Sequence, residues 1–332
     1  MADIDGIATI IAAVERELGG TLAGVGPLPG GHSGVTLVAD LDRGLGRERV
    51  VVKATPPGRR SVGRHDVLRQ VRAMEAAAHI VPVPRLLAAL ADPPCFVMSF
   101  EAGEAAEPAH DEAPSGDDEV LVARRFEAAS GLLARLHSVD VSGLVDDGTG
   151  SPYVSPADEL GKWERTLGTI DGAFRAAGDR ALASLTARLP EPAAPALVHG
   201  DYRLGNILFV GPDPTAIIDW EIWSIGDPRV DLGWYLTFCD PENFPGIGFP
   251  ERRLPTAESA VRWYESASGR TVNELDWFLG LGAFKMGVVM ANNLERHRSG
   301  RHIDPFQERL PRTIRRMLDR AASPDLTSRA RR

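Results

Sequence analysis

Apolar positions along the chain follow two different periods. From Ile4 to Leu18 they recur every three or four residues and stop at Gly19-Gly20, which predicts an amphipathic helix closed by glycine. The runs then become short and β-branched: 21–28, 35–41 and 49–54 read as strands, with Pro29-Gly30-Gly31-His32-Ser33-Gly34 turning between the first two. The helical period returns over 62–78 and ends at Val81-Pro82-Val83-Pro84, after which 85–91 and 95–100 read as two further strands. Beyond Gly103 the pattern is helical: 120–138, 156–167, 179–189, 230–238, 256–268, 273–298 and 305–322. The expected fold is therefore α+β, with a small sheet crossed by one helix followed by a larger helical part. Strand character ends near Phe100, which divides the chain into a strand-rich unit over 1–100, carrying a helical extension over 1–20, and a helix-rich unit over 101–332. A cleft between two such units is a usual place for a ligand.

Composition narrows the partners. A chain of 332 residues with 43% apolar and 25% charged residues is that of an ordinary soluble protein too large for one small core. The net charge of −9 is uneven: 101–119 carries eight acids and no Lys or Arg, whereas 296–332 holds eleven Arg against four acids. The acidic stretch reads as a surface loop and the tail as a solvated helix and chain end, so no nucleic acid is expected as a partner. Met1-Ala2-Asp3-Ile4-Asp5 lacks a secretory pattern, and the longest apolar helical stretch, 278–291, is interrupted by Lys285 and glycines. No membrane partner is expected, and the expected location is cytoplasmic. Cys95 and Cys239 are too few and too far apart for a disulfide framework or a metal knuckle. Only Lys53, Lys162 and Lys285 are lysines in a chain that otherwise uses Arg, so each retained ammonium calls for a reason.

The chemistry concentrates in His199-Gly200-Asp201-Tyr202-Arg203-Leu204-Gly205-Asn206 and in Ile217-Ile218-Asp219-Trp220. An Asp and an Asn in one tight loop, and a second Asp at the end of the next apolar run, suit a site that holds a divalent metal against phosphate oxygens. Two upstream features agree. Gly30, Gly31, Ser33 and Gly34 lie between strands, where missing side chains let backbone N–H groups approach phosphate; taken alone, such a loop is a simple turn. Lys53 closes the apolar strand Val50-Val51-Val52, where it can meet phosphates or point to water.

With these motifs in this order, the chain resembles the aminoglycoside phosphotransferase family, the small-molecule branch of the protein-kinase-like fold, over roughly 21–298. The resemblance implies a two-lobe fold, ATP and Mg2+ as cofactors, and a small hydroxylated substrate. It implies Asp201 as the catalytic base or hydroxyl-orienting carboxylate, Asn206 and Asp219 as magnesium ligands, and Lys53 as a phosphate partner. Ser99 and Phe100 would be the hinge that offers backbone hydrogen bonds to adenine, His199 would brace the loop, and Asp231 would brace it from the following helix. The short segment between Asp219 and Asp227 favours small acceptors over peptides. Trp223, Trp234, Asn243, Trp263, Lys285 and Asn292 are candidates to line the acceptor site, and the expected form is a monomer or homodimer.

One position departs from the family pattern. Gln70 aligns where the family has a Glu that pairs with the strand Lys, so Lys53 is held either by ATP or by a neighbour such as Glu75. Two other functions remain open at this point: a nucleotide-binding module with little catalysis, motivated by Gln70, and a metal-dependent phosphoesterase built on His199, Asp201, Asp219 and Asp227.

Overall fold

The computed structural model describes residues 4–28, 34–44, 46–56, 58, 66–109, 118–145 and 153–323. Helix α1 (Ile4–Leu18) leads into three antiparallel strands, β1 (Thr21–Pro27), β2 (Val35–Asp42) and β3 (Arg47–Ala54). Helix α2 (Val67–Ala77) follows, and β4 (Leu86–Ala91) and β5 (Pro94–Ser99) complete a five-stranded sheet of order β1-β2-β3-β5-β4. Alternation along β3 divides its residues between two faces. Val50, Val52 and Ala54 pack with Ile10 and Val14 of α1, which leaves Lys53 on the opposite face. On that side, Val67, Val71 and Met74 of α2 join Phe96 in a second core.

The remaining chain is mainly helical. Helices α3 (Glu119–Leu136), α4 (Ser142–Val145), α5 (Pro156–Leu167), α6 (Arg175–Thr186), α7 (Arg229–Thr237), α8 (Ala257–Ser268), α9 (Leu275–Arg298) and α10 (Pro311–Ala321) surround two small sheets. One joins β6 (Tyr153–Val154), β7 (Ala196–Val198) and β10 (Ser224–Gly226); the other is the hairpin of β8 (Ile207–Val210) and β9 (Asp213–Ile217). The hairpin pairs Ile207 with Ile217, so the residues just before β8 and just after β9 emerge at one end. The sequence predicts a single helix over 305–322. It is instead a 3₁₀ turn over Pro305–Arg309 and then α10, because Pro311 has no N–H to continue the first helix and is well suited to start the second.

Helices α7 and α9 cross closely. A Cβ added to Gly233 would lie 2.2 Å from the Phe278 carbonyl oxygen, and one added to Gly282 would lie 2.7 Å from that of Gly233. Only glycine on both helices permits this approach, which sets Trp234 and Lys285 beside the 199–206 loop. Among the described residues, no helix is long and apolar enough to cross a membrane.

Candidate active site

The loop that carries Asp201 is held by Asp231 and braced by its own His199. Asp231, near the start of α7 and fully buried, accepts the N–H groups of His199 at 2.6 Å and Gly200 at 2.7 Å. His137, at the end of α3, donates Nε2–H to the same carboxylate at 3.4 Å, and its Nδ1 meets the Tyr264 hydroxyl at 2.9 Å. Burial alone would push the Asp231 carboxyl up, but the hydrogen bonds it accepts from His137 and from the His199 backbone outweigh it and hold it below the usual carboxylate range. The expectation that Asp231 braces the loop matches this geometry.

His199 braces the loop as well. Its Nδ1 accepts the Asp201 N–H at 3.2 Å, so the ring is neutral with its proton on Nε2, which donates to the Ile218 carbonyl at 3.0 Å. Both ring nitrogens are therefore occupied, and the imidazole is neither a free base nor a free metal ligand. Gly200 has φ +84°, and a Cβ there would stand 2.6 Å from the Ile222 carbonyl oxygen, so glycine is required at the turn.

Asp201, Asn206, Asp219 and Lys53 converge through a chain of short contacts. Asn206 Nδ2 donates to Asp201 Oδ2 at 2.8 Å and to the Asp201 carbonyl at 2.8 Å. The Ile218 N–H donates to the Asn206 carbonyl at 3.0 Å, which ties the residue before Asp219 to the loop. Asp219 has φ 65°, a left-handed conformation that Asp tolerates better than most residues. Its Oδ1 lies 3.2 Å from Lys53 Nζ, an ion pair between side chains 166 positions apart. Trp234 Nε1 donates to Asp201 Oδ1 at 2.7 Å, and Arg203 Nε stands 3.6 Å from the same oxygen.

Lys53 resolves the Gln70 question differently from the sequence expectation. Its second partner is Glu221 Oε1 at 2.9 Å, neither Gln70 nor Glu75. Gln70 is buried on α2, and Glu75 is exposed. Glu221 went unrecognised, although it stands only two positions after Asp219, because the family pattern points to α2 for this carboxylate.

The remaining predicted site residues are spread over several elements. The N–H groups of Ser99 and Phe100 donate to the carbonyls of Arg85 at 2.9 Å and Arg49 at 3.0 Å, so a base finds no free donor at these two backbone positions. Gly30, Gly31 and Ser33 lie outside the described residues. Gly34 is described and leads into β2 beside Ala54, two positions before Thr36, the strand partner of Lys53. Of the six acceptor-lining candidates, Trp234 and Lys285 reach the loop. Trp223 bonds the Arg69 carbonyl at 2.9 Å, Asn243 bonds the Thr237 carbonyl at 2.9 Å, Asn292 accepts from Thr169 at 3.3 Å, and Trp263 packs against the core.

The oxygen donors suit magnesium chemically. Asn206 uses its amide nitrogen on Asp201, which leaves Oδ1 as an oxygen donor, and Asp219 adds a carboxylate; a hard cation needs few protein oxygens when phosphates supply others. Among the described residues, no group of three or more His, Cys, Asp or Glu stands together as a metal cluster. Asp227, the fourth residue of the phosphoesterase alternative, is instead paired with Arg229 at 2.7 Å and accepts the Ala193 N–H at 2.9 Å.

A five-stranded antiparallel sheet with one crossing helix, joined through a Lys–Asp pair to a helical part bearing an Asp–Asn loop, defines a two-lobe protein-kinase-like phosphotransferase fold. The chain belongs to the phosphotransferase enzyme family, whose profile matches residues 25–264. Among solved structures, it is similar to a candidate aminoglycoside phosphotransferase of Ralstonia eutropha JMP134, with a TM-score of 0.76 and 22% identity over 93% of this chain and 95% of that one. It is also similar to the choline kinase LicA of Streptococcus pneumoniae, with a TM-score of 0.62 and 16% identity over 94% and 99% of the two chains. A curated relative, acyl-CoA dehydrogenase family member 10 of Mus musculus, is 25% identical over 77% of this chain and 25% of its own length. The chain thus spans about a quarter of that relative, and 34% of the mouse family member 11 that it also matches.

Proposed function

We propose that the protein is a kinase that transfers the γ-phosphoryl group of ATP to a hydroxyl of a small molecule, with magnesium as cofactor. The observation that carries this reading is the Lys53–Asp219 ion pair, formed across the two lobes beside a carboxylate, Asp201, whose two oxygens each accept a hydrogen bond. Residues of the N-terminal lobe would hold ATP, with the Lys53 ammonium toward its phosphates. Asn206 and Asp219 would hold magnesium, which when bound neutralises phosphate charge. Asp201 accepts the proton-bearing side of the acceptor hydroxyl and orients its oxygen toward phosphorus, while Trp234 and Asn206 keep the carboxylate from turning. A solved ternary complex of streptomycin, ATP and APH(2")-IIa, of the same fold, supports the choice of ATP. The mouse relative named as a dehydrogenase is a much longer protein, of which this chain spans about a quarter.

The acceptor is proposed to be a neutral or acidic alcohol rather than a polycation. Arg203 stands 3.6 Å from Asp201, and Lys285 bonds the adjacent Gly200 carbonyl, so positive charge already surrounds the carboxylate. The acidic stretch that would suit an aminoglycoside is largely engaged where it is described. Glu104 pairs with Arg125 at 2.6 Å, Glu107 accepts the Gly205 N–H at 3.2 Å, Asp118 caps α3 and Glu101 bonds Ser99. The case for a non-catalytic module rested on a missing carboxylate for Lys53, and Glu221 supplies one.

ADP formation measured across a panel of hydroxy acids, polyols, amino alcohols and aminoglycosides tests this function. Turnover is expected with a neutral or acidic member. Asp201→Ala should lower that turnover by about 100-fold or more while keeping MgATP affinity within about twofold, and Asp219→Ala should weaken magnesium-dependent ATP binding. Full phosphorylation of the same acceptor by Asp201→Ala would refute the assignment.

A further inference from the structure

Lys285 is one of three lysines in the chain and is buried on α9. Its ammonium donates to the Gly200 carbonyl and lies 3.6 Å from the centre of the Trp234 ring and 5.4 Å from that of Trp163. Trp234 in turn donates to Asp201 Oδ1. These contacts close a ring from Lys285 to the peptide before Asp201, through the Asp201 side chain to the indole, and back to the ammonium. A buried ammonium is costly, and an apolar side chain of similar length would fill the same space more cheaply. Its presence therefore asks for a role that packing alone does not supply.

We propose that Lys285 is a positioning residue that fixes Asp201, holding the 200–201 peptide from one side and the indole that restrains the carboxylate from the other. The inference rests on the reading of Asp201 as the hydroxyl-orienting carboxylate. The charged groups that face Lys285 are Asp201 in the loop, Glu159 and Lys162 on α5, and Asp231 on α7. Burial pulls its pKa down from the ordinary lysine value to about 8; Lys162 acts in the same direction, against Asp201, Glu159 and Asp231. Below that pH the ammonium is charged and the ring of contacts is complete. As pH rises through it, the cation–π contact is lost and the bond to Gly200 weakens, so the hold on Asp201 relaxes.

Two measurements test the proposal on the intact chain. Side-chain NMR of nitrogen-15-labelled lysine, read from about pH 6 to about pH 10, should show one resonance titrating near 8 that is absent from Lys285→Arg. ADP release from MgATP without added alcohol, where water takes the phosphoryl group, gives the second readout. Lys285→Met should lower that rate roughly 10- to 100-fold while keeping MgATP affinity within about twofold and a cooperative melting transition. The wild-type rate should fall as pH rises through about 8, and Lys285→Arg, which stays charged, should lack that fall. A folded Lys285→Met that matches the wild-type rate, while Asp201→Ala is inactive, overturns this inference alone. An alkaline fall that persists unchanged in Lys285→Arg overturns it too. Unchanged ADP release by Asp201→Ala removes the parent reading and this inference together.

Discussion

Lys53 stands between two carboxylates, Asp219 Oδ1 at 3.2 Å and Glu221 Oε1 at 2.9 Å, and their side chains differ in exposure at 46% and 17%. The more exposed Asp219 is the one able to turn toward a metal, while the more buried Glu221 keeps the ammonium in place. Without Glu221, Lys53 would draw on Asp219 alone and compete with magnesium for it. Glu221→Gln is therefore expected to raise the magnesium concentration needed for half-maximal ATP binding about fivefold, the equivalent of about 1 kcal/mol, when ATP is titrated at fixed magnesium levels. An unchanged magnesium requirement would mean that Lys53 is held by something else. That Asp201 and Asn206 meet, with Asp219 following from the adjoining hairpin, was legible because their spacing lies within one loop and one hairpin. Glu221 was not, because the identity of a lysine's partner depends on how two lobes dock, and spacing along the chain does not encode docking. The engagement of the Ser99 and Phe100 N–H groups was not legible for a related reason. Whether a backbone donor is free depends on its neighbouring strands, and Arg49 and Arg85 had already claimed both.

At the scale of elements, the crossing of α7 and α9 does the most to build the site. Trp234 and Lys285 reach the loop because Gly233 and Gly282 let the two backbones approach more closely than any side chain allows. Gly233→Ala should cost about 1–3 kcal/mol of stability through overpacking, and should also slow turnover by moving Trp234 away from Asp201. Gly131, inside α3 with nothing within 4 Å of an added Cβ, is the control: Gly131→Ala should leave stability unchanged or raise it by up to about 1 kcal/mol. Urea unfolding of both variants checks the contrast, and equal effects would refute the role given to the crossing. Long amphipathic helices such as α1, α3 and α5 were readable from their period. The sheet of β6, β7 and β10 was not, because strands of two or three residues carry no period and Tyr153, Leu197 and Ile225 meet only through the fold.

On the scale of the whole molecule, the sheet and the helical part share one core. The core that begins with Val67, Val71, Met74 and Phe96 continues without a break into Phe126, Leu132 and Tyr235, whereas the core under α1 stays within the first sheet. Polar contacts reinforce the junction. Trp223 Nε1 donates to the Arg69 carbonyl at 2.9 Å, the Arg69 guanidinium lies 4.2 Å from the Trp223 ring centre, the Ile217 N–H meets the Pro82 carbonyl at 2.9 Å, and Thr215 Oγ1 meets the Ala102 carbonyl at 2.6 Å. Trp223 belongs to the segment that carries Asp219 and Glu221, so the side chain that joins α2 to the helical lobe also anchors the candidate metal ligand. Removing it should act on both functions at once. Trp223→Ala is expected to cost about 3–5 kcal/mol by opening a cavity, and to lower a single melting temperature seen alike by far-ultraviolet circular dichroism and by tryptophan fluorescence. Two separate transitions in the variant would mean that the lobes fold independently and that the shared core contributes little cooperativity. One lowered transition, with weaker magnesium-dependent ATP binding below it, is what a site assembled across a single continuous core requires.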